Sequence, residues 1–99
     1  MKIEKGQHYI VRANGAGVFF GEIDEVNGQT VEMRNVRKLW SWEGANAVEE
    51  LAVHGTIKAN ECRFTVYVEE MTIFNALQIL KCTEEAVKNI KEVFIWSQK

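Results

Sequence analysis

The sequence predicts an α+β fold: a compact, mostly antiparallel sheet of about five or six strands with two short helices. Three observations carry this. The first half of the chain is built from β-branched and aromatic runs separated by glycine and asparagine. At residues 46–54 a helical apolar period replaces alternation. A second helix signal follows Thr83.

Taken in order, QHYIVRA is a first strand, and AGVFFGEIDEV follows a loop at NGAG. QTVEMRNVRKLWSW is the third strand. Asn27 and Gly28 between the last two predict a hairpin, because both central residues of a type I′ turn need positive φ. Asn46 is placed to cap a helix over 46–54, with Glu49 three residues on in the capping-box position and Gly55 past its end. ECRFTVYVEE reads as one strand and MTIFNALQILKC as another, with Asn75 interrupting the alternation of the second. Thr83 caps a second helix that buries Val87, Ile90 and Val93, and Glu84 and Glu85 suit its positive end. VFIWSQK closes the chain as a strand or as a tail held by Phe94 and Trp96.

Ninety-nine residues form one domain over 1–99, since a second core would have too few residues. The 46% apolar and 26% charged fractions are those of an ordinary globular protein. A net charge of −2 gives no long-range field for a polyanion, so an extended nucleic acid is not the expected partner. No apolar run approaches the roughly 20 residues that span a bilayer. MKIEKGQHYI lacks the apolar core of a secretory signal, and the expected location is the cytoplasm. Cys62 and Cys82 read as reduced thiols. His8 and His54 are far from each other and from either cysteine at ligand spacing, so neither a metal nor a cofactor is expected. Glu22, Asp24, Glu25 and Glu32 read as the solvated face of a hairpin.

The segment RNVRKLWSWEGA, residues 34–45, carries the functional signal. It sets two of the three tryptophans beside the densest basic cluster. Regular alternation places Arg34, Val36, Lys38, Trp40 and Trp42 on one face and Asn35, Arg37, Leu39 and Ser41 on the other, with Val31 and Met33 in the second set. A cationic and aromatic face has the chemistry of a nucleotide site: guanidinium and ammonium groups neutralise phosphates, and indoles stack on bases. The plainer reading puts both tryptophans in the core and leaves the cations solvated. RANGAGVFFG adds Arg12, Asn14 and Phe19. Phe19 and Phe20 point to opposite faces, so both are buried only if both faces are covered. No glycine-rich nucleotide motif and no catalytic triad is present, and the chain does not read as an enzyme.

Through GVFFGEI, RKLWSWEGA and the TEEAVKNIKEV tail, the chain resembles a family of small phage-encoded domains of uncharacterised function. That resemblance implies a viral gene acting in a bacterial cytoplasm. By looser physical analogy the chain is similar to phage proteins that sequester nucleotide second messengers of bacterial immunity, of the cyclic oligonucleotide or cyclic ADP-ribose type. The expectation is therefore a non-catalytic nucleotide-binding protein. Arg34, Lys38, Arg37 and Arg12 would hold phosphates. Trp40, Trp42 and Phe19 would stack on bases, and Glu43 and Asn14 would read ribose or base edges. Self-association is expected, because one small domain cannot enclose a dinucleotide. The alternatives are binding of single-stranded nucleic acid and inhibition of a host protein with the tryptophans as interface anchors.

Overall fold

The computed structural model describes residues 1–97. β1 spans His8–Ala13, β2 Gly17–Asn27 and β3 Thr30–Ser41. Then come α1, Val48–His54, and a single 3₁₀ turn, Ala59–Glu61. β4, Arg63–Phe64, β5, Val68–Ile73, and β6, Ala76–Lys81, lead into α2, Glu84–Glu92. This is the six-stranded antiparallel sheet with two helices that the sequence predicts.

The sheet order is β4-β3-β2-β1-β6, with β5 also on β3. β5 borders residues 31–36 of β3 and β4 borders residues 39–41, so the two share one edge of that strand. β6 lies on the far margin, against β1. Yet only Phe74 and Asn75 separate β5 from β6. Two residues cannot cross a flat sheet of this width, so the sheet curls until its margins meet, as a half-open barrel. Two backbone bonds tie the β5–β6 turn to the neighbouring turns: Ala76 N–H donates to Gln29 O at 2.9 Å and Asn14 N–H to Asn75 O at 3.0 Å.

Both faces of the sheet are covered. The concave side holds Tyr9, Val11, Phe19, Ile23, Val31, Met33, Val36 and Ile73. The convex side holds Ile10, Phe20, Leu39 and Phe64 beneath Leu51 and Ala52 of α1 and Ala86 and Ile90 of α2. Phe19 and Phe20 are buried on opposite faces, the outcome that needs both faces covered.

Several details differ from the sequence expectation. The hairpin forms, but Asn27 pairs with Thr30, so Gly28 and Gln29 are the central residues. Gly28 alone takes positive φ there, the pattern of a type II′ turn. The α1 N-cap is Ala47, not Asn46, and no side chain caps it. Glu50, three residues after Ala47, accepts at 2.6 Å from the N–H of Asn46, the residue before the cap, and not from the cap itself as in a capping box. The run 61–70 is not one strand: β4 ends at Phe64 and β5 starts at Val68. The run 71–82 is not one strand either. Asn75 adopts φ 59° and turns the chain between β5 and β6. α2 is capped as expected, with Thr83 Oγ1 accepting from Ala86 N–H at 3.1 Å. The C-terminal segment forms an isolated parallel bridge, Ile95 beside Phe64, and its last two residues, 98–99, lie outside the described residues.

The largest correction concerns β3. Phe20 pairs with Arg37 and Glu22 with Arg34, so β3 carries an extra residue opposite Gly21. Asn35, at φ 47°, absorbs this bulge. A Cβ on Gly21 would stand 2.8 Å from Val36 Cα, so only glycine fits the close approach. The bulge resets the alternation. Val31 and Met33 share the concave side with Val36, not with Arg37 and Leu39.

Arg37 is fully buried. Its guanidinium donates to five backbone carbonyls: Thr65, Ile90, Val93, Phe64 and Phe94. Burial, the dominant effect, lowers its pKa from the ordinary value. Replacing Arg37 with Met strands buried carbonyls and is expected to cost on the order of 3–5 kcal/mol, read from the urea midpoint.

Burial also pushes the Cys82 thiol up to about 12. The unfolded thiol ionises near 9.0, so this group's contribution is complete below that pH and is lost as the pH climbs toward 12. Cys82→Ser is expected to show a shallower decline in urea midpoint above pH 9.0 than the parent protein.

Candidate functional site

The nine residues singled out in the sequence do not meet at one place. Arg37 is buried, and all five of its donors are taken, so it cannot clamp a ligand. Phe19 is buried inside the barrel and offers no face for stacking. Arg34 is exposed, but its Nε donates to both carboxylate oxygens of Asp24, at 2.8 and 2.9 Å. That pair raises the Arg34 pKa, through the hydrogen bond first and the charge of Asp24 second. Lys38 is half-buried, and its ammonium sits 6.0 Å from the Phe19 ring centroid. Arg12 donates to Gln78 Oε1 at 3.1 Å on the exposed β1–β6 surface. Asn14 lies in the β1–β2 turn, where its backbone N–H holds Asn75.

The WSWEGA stretch is also divided. β3 ends at Ser41, after a register shift against β4. Trp42 lies beyond the strand and packs, half-buried, on the helix-covered core together with Ala45. Glu43 turns its side chain to solvent, while its carbonyl accepts from the Thr56 hydroxyl. Gly44 lies so close to residues 56–58 that a Cβ would come within 2.7 Å of Lys58 N. The distinctive end of the segment therefore docks a turn against the chain after α1.

Trp40 alone keeps the exposed position that the sequence assigned to the pair, at 50% exposure. Its partner comes from the other end of the chain. The Phe64–Ile95 bridge and the Trp96 N–H donated to Phe64 O at 2.9 Å fix the C-terminal segment beside β4. That register lays the Trp96 indole on Trp40, with centroids 4.9 Å apart and planes 15° from parallel. Arg63, opposite Ser41 in the ladder, brings its guanidinium carbon within 5.6 Å of the Trp40 centroid and 5.7 Å of the Trp96 centroid. Arg63 makes no ion pair among the described residues.

The cluster can stack on a flat ring and offer an uncommitted positive charge beside it. Neither Arg63 nor Trp96 stood out in the sequence as a site residue. The available signal was composition, a third tryptophan in a tail read as strand-like. Pairing that tail with β4 required the fold.

Among the described residues, no helix is long and apolar enough to cross a membrane. Comparison with known families places residues 6–90 in the domain of unknown function DUF6948, and the chain belongs to that family. No curated protein and no solved structure matches it.

The different settings of the two tryptophans are measurable. Trp42→Ala is expected to cost about 2–3 kcal/mol in urea unfolding, because it removes packed indole surface. Trp40→Ala is expected to cost about 1 kcal/mol or less, the worth of an exposed aromatic pair.

Proposed function

Starting from membership of a family defined by sequence and not by activity, we propose that the protein binds a nucleotide without transforming it. The nucleotide is a second messenger of the cyclic oligonucleotide or cyclic ADP-ribose type, held out of circulation. One observation carries the reading: the solvent-facing Trp40–Trp96 stack with Arg63 beside both rings. A base adds to the open face of an existing stack, and a phosphate takes the guanidinium. The three side chains supply stacking and charge. None of them is a nucleophile or a proton-transfer group near neutral pH. A phage gene acting in a bacterial cytoplasm is the setting in which such sequestration has a use.

The cluster is open to one side, and a single copy leaves most of a dinucleotide in water. A second copy of the chain closing over Trp40 and Trp96 would complete the enclosure, so assembly is part of this proposal. One observation favours a second reading, an inhibitor that docks on a host protein. Phe94 and Ile95, next to Trp96 in the chain, are about half exposed, and tryptophan with arginine among apolar neighbours is the make-up of an interface anchor.

Tryptophan fluorescence during titration with cyclic di- and trinucleotides, cyclic ADP-ribose isomers and a short oligo-dT separates these readings. Saturable quenching by one small nucleotide is expected. Trp40→Ala and Trp96→Ala should each weaken it by about 5- to 150-fold, the worth of one stacked base, and Arg63→Ala by about 10- to 150-fold, the worth of a charged hydrogen bond. Trp42→Ala should bind as the parent does. A flat response across the panel favours the docking reading. A response to oligo-dT alone, falling steeply with salt, favours single-stranded nucleic acid.

A further inference from the structure

On the convex side, away from the tryptophans, His8 occupies an unusual position. It is only 8% exposed and lies flat on Phe20, with centroids 5.2 Å apart and planes 21° from parallel. Its carbonyl accepts from Gln7 Nε2 and from Cys82 N–H. Its ring nitrogens have no hydrogen-bond partner among the described residues, and neither is sealed from solvent. A buried imidazole normally has at least one nitrogen satisfied by the protein.

His8 lines two surface hollows, of about 430 and 440 Å³. Both hollows are lined by His8 and Lys91. Lys88 and Glu84, also from α2, line the first; Glu22, Asn35 and Tyr67 line the second. Neither Lys88 nor Lys91 makes an ion pair among the described residues. Glu22 is within 3.5 Å of the Asn35 amide. The walls thus bring together an imidazole with no protein partner and two ammonium groups outside any ion pair, with two carboxylates beside them.

We propose that these walls form an anion site, in which the His8 ring N–H, Lys91 and Lys88 hold a phosphate group, free or carried by a nucleotide. It shares no residue with the Trp40–Arg63–Trp96 cluster and stands whether or not that cluster binds a base. With His8 neutral, Lys88 and Lys91 balance Glu22 and Glu84, so an entering anion gains most by drawing a proton onto His8. Tyr67 is the remaining titratable group in the walls. Burial, then Lys91, holds the His8 pKa below its usual 6.5, with Glu22 opposing. A bound phosphate adds negative charge and raises it. Proton uptake by His8 therefore favours binding as the pH falls through its transition, opposed by loss of the phosphate's own second charge, whose pKa is about 6.

The test follows the ring resonances of both histidines by NMR during titration with inorganic phosphate, then adenosine monophosphate, with sodium chloride at matched ionic strength. His54, exposed and 3.5 Å from Glu85, is the internal control. The expected result is a saturable shift at His8, an upward move of its pKa, and an unmoved His54. Lys91→Gln and Lys88→Gln should each weaken binding roughly fivefold while the rest of the spectrum stays folded. A response to adenosine monophosphate at concentrations where inorganic phosphate gives none supports the site and names a nucleotide as its source. No response at His8 to either probe overturns the proposal. So does a non-saturating shift that sodium chloride or Lys91→Gln reproduces, because that is a salt effect.

Discussion

Much of this fold depends on one buried cation without a carboxylate. Arg37 projects from the middle of the third strand to a place where four pieces of backbone converge: the end of β4, the loop after it, the last turn of α2 and the C-terminal segment. A guanidinium has five N–H donors, and each finds a carbonyl here. Two of those carbonyls, Ile90 and Val93, lie at the C-terminal end of α2, where the helix dipole is negative and favours a cation. The rings of Phe64 and Tyr67 flank the charge at 5.5 and 4.9 Å. Fixed dipoles and ring faces thus replace water around an ion that would otherwise be costly to bury. Lysine has three donors from one point and could not match the geometry.

This arrangement has a functional consequence. The carbonyl of Phe64 accepts from Arg37 and also from the Trp96 N–H, and the Phe94 carbonyl belongs to the same segment as Trp96. The guanidinium thereby sets the course of the chain that lays Trp96 on Trp40. A cation that the sequence offers as a phosphate clamp instead positions the aromatic pair from below.

The outline of the fold was legible because its strongest determinants are local. Val26, Asn27 and Gly28 announced the hairpin, Thr83 the cap of α2, and Asn75 the interruption that proved to be the β5–β6 turn. The site was less legible, for two reasons. Strict alternation along residues 34–42 assumes no extra residue, and the bulge at Asn35 inserts one, so the face shared by Val31 and Met33 could not be read from spacing. The partners of Trp40 arrive from β4 and from the C-terminal tail, by contacts that no local pattern encodes. Phe19 shows the limit in small form. Alternation separates it from Phe20, but only the curled sheet and the helices over it decide that both are buried.

Arg37 holds the Trp40–Trp96 stack in place from the interior, through the Phe64 and Phe94 carbonyls. Stacked indoles give an exciton couplet in the far-ultraviolet circular dichroism spectrum, and Arg37→Lys keeps the charge while losing most of the carbonyl contacts. Measured below its unfolding transition, that variant is predicted to lose most of the couplet while its amide spectrum remains that of a folded α+β protein. Trp96→Ala provides the zero. A couplet of parental amplitude in folded Arg37→Lys would contradict the account, and the aromatic pair would then be held by its own contacts and by Arg63 alone.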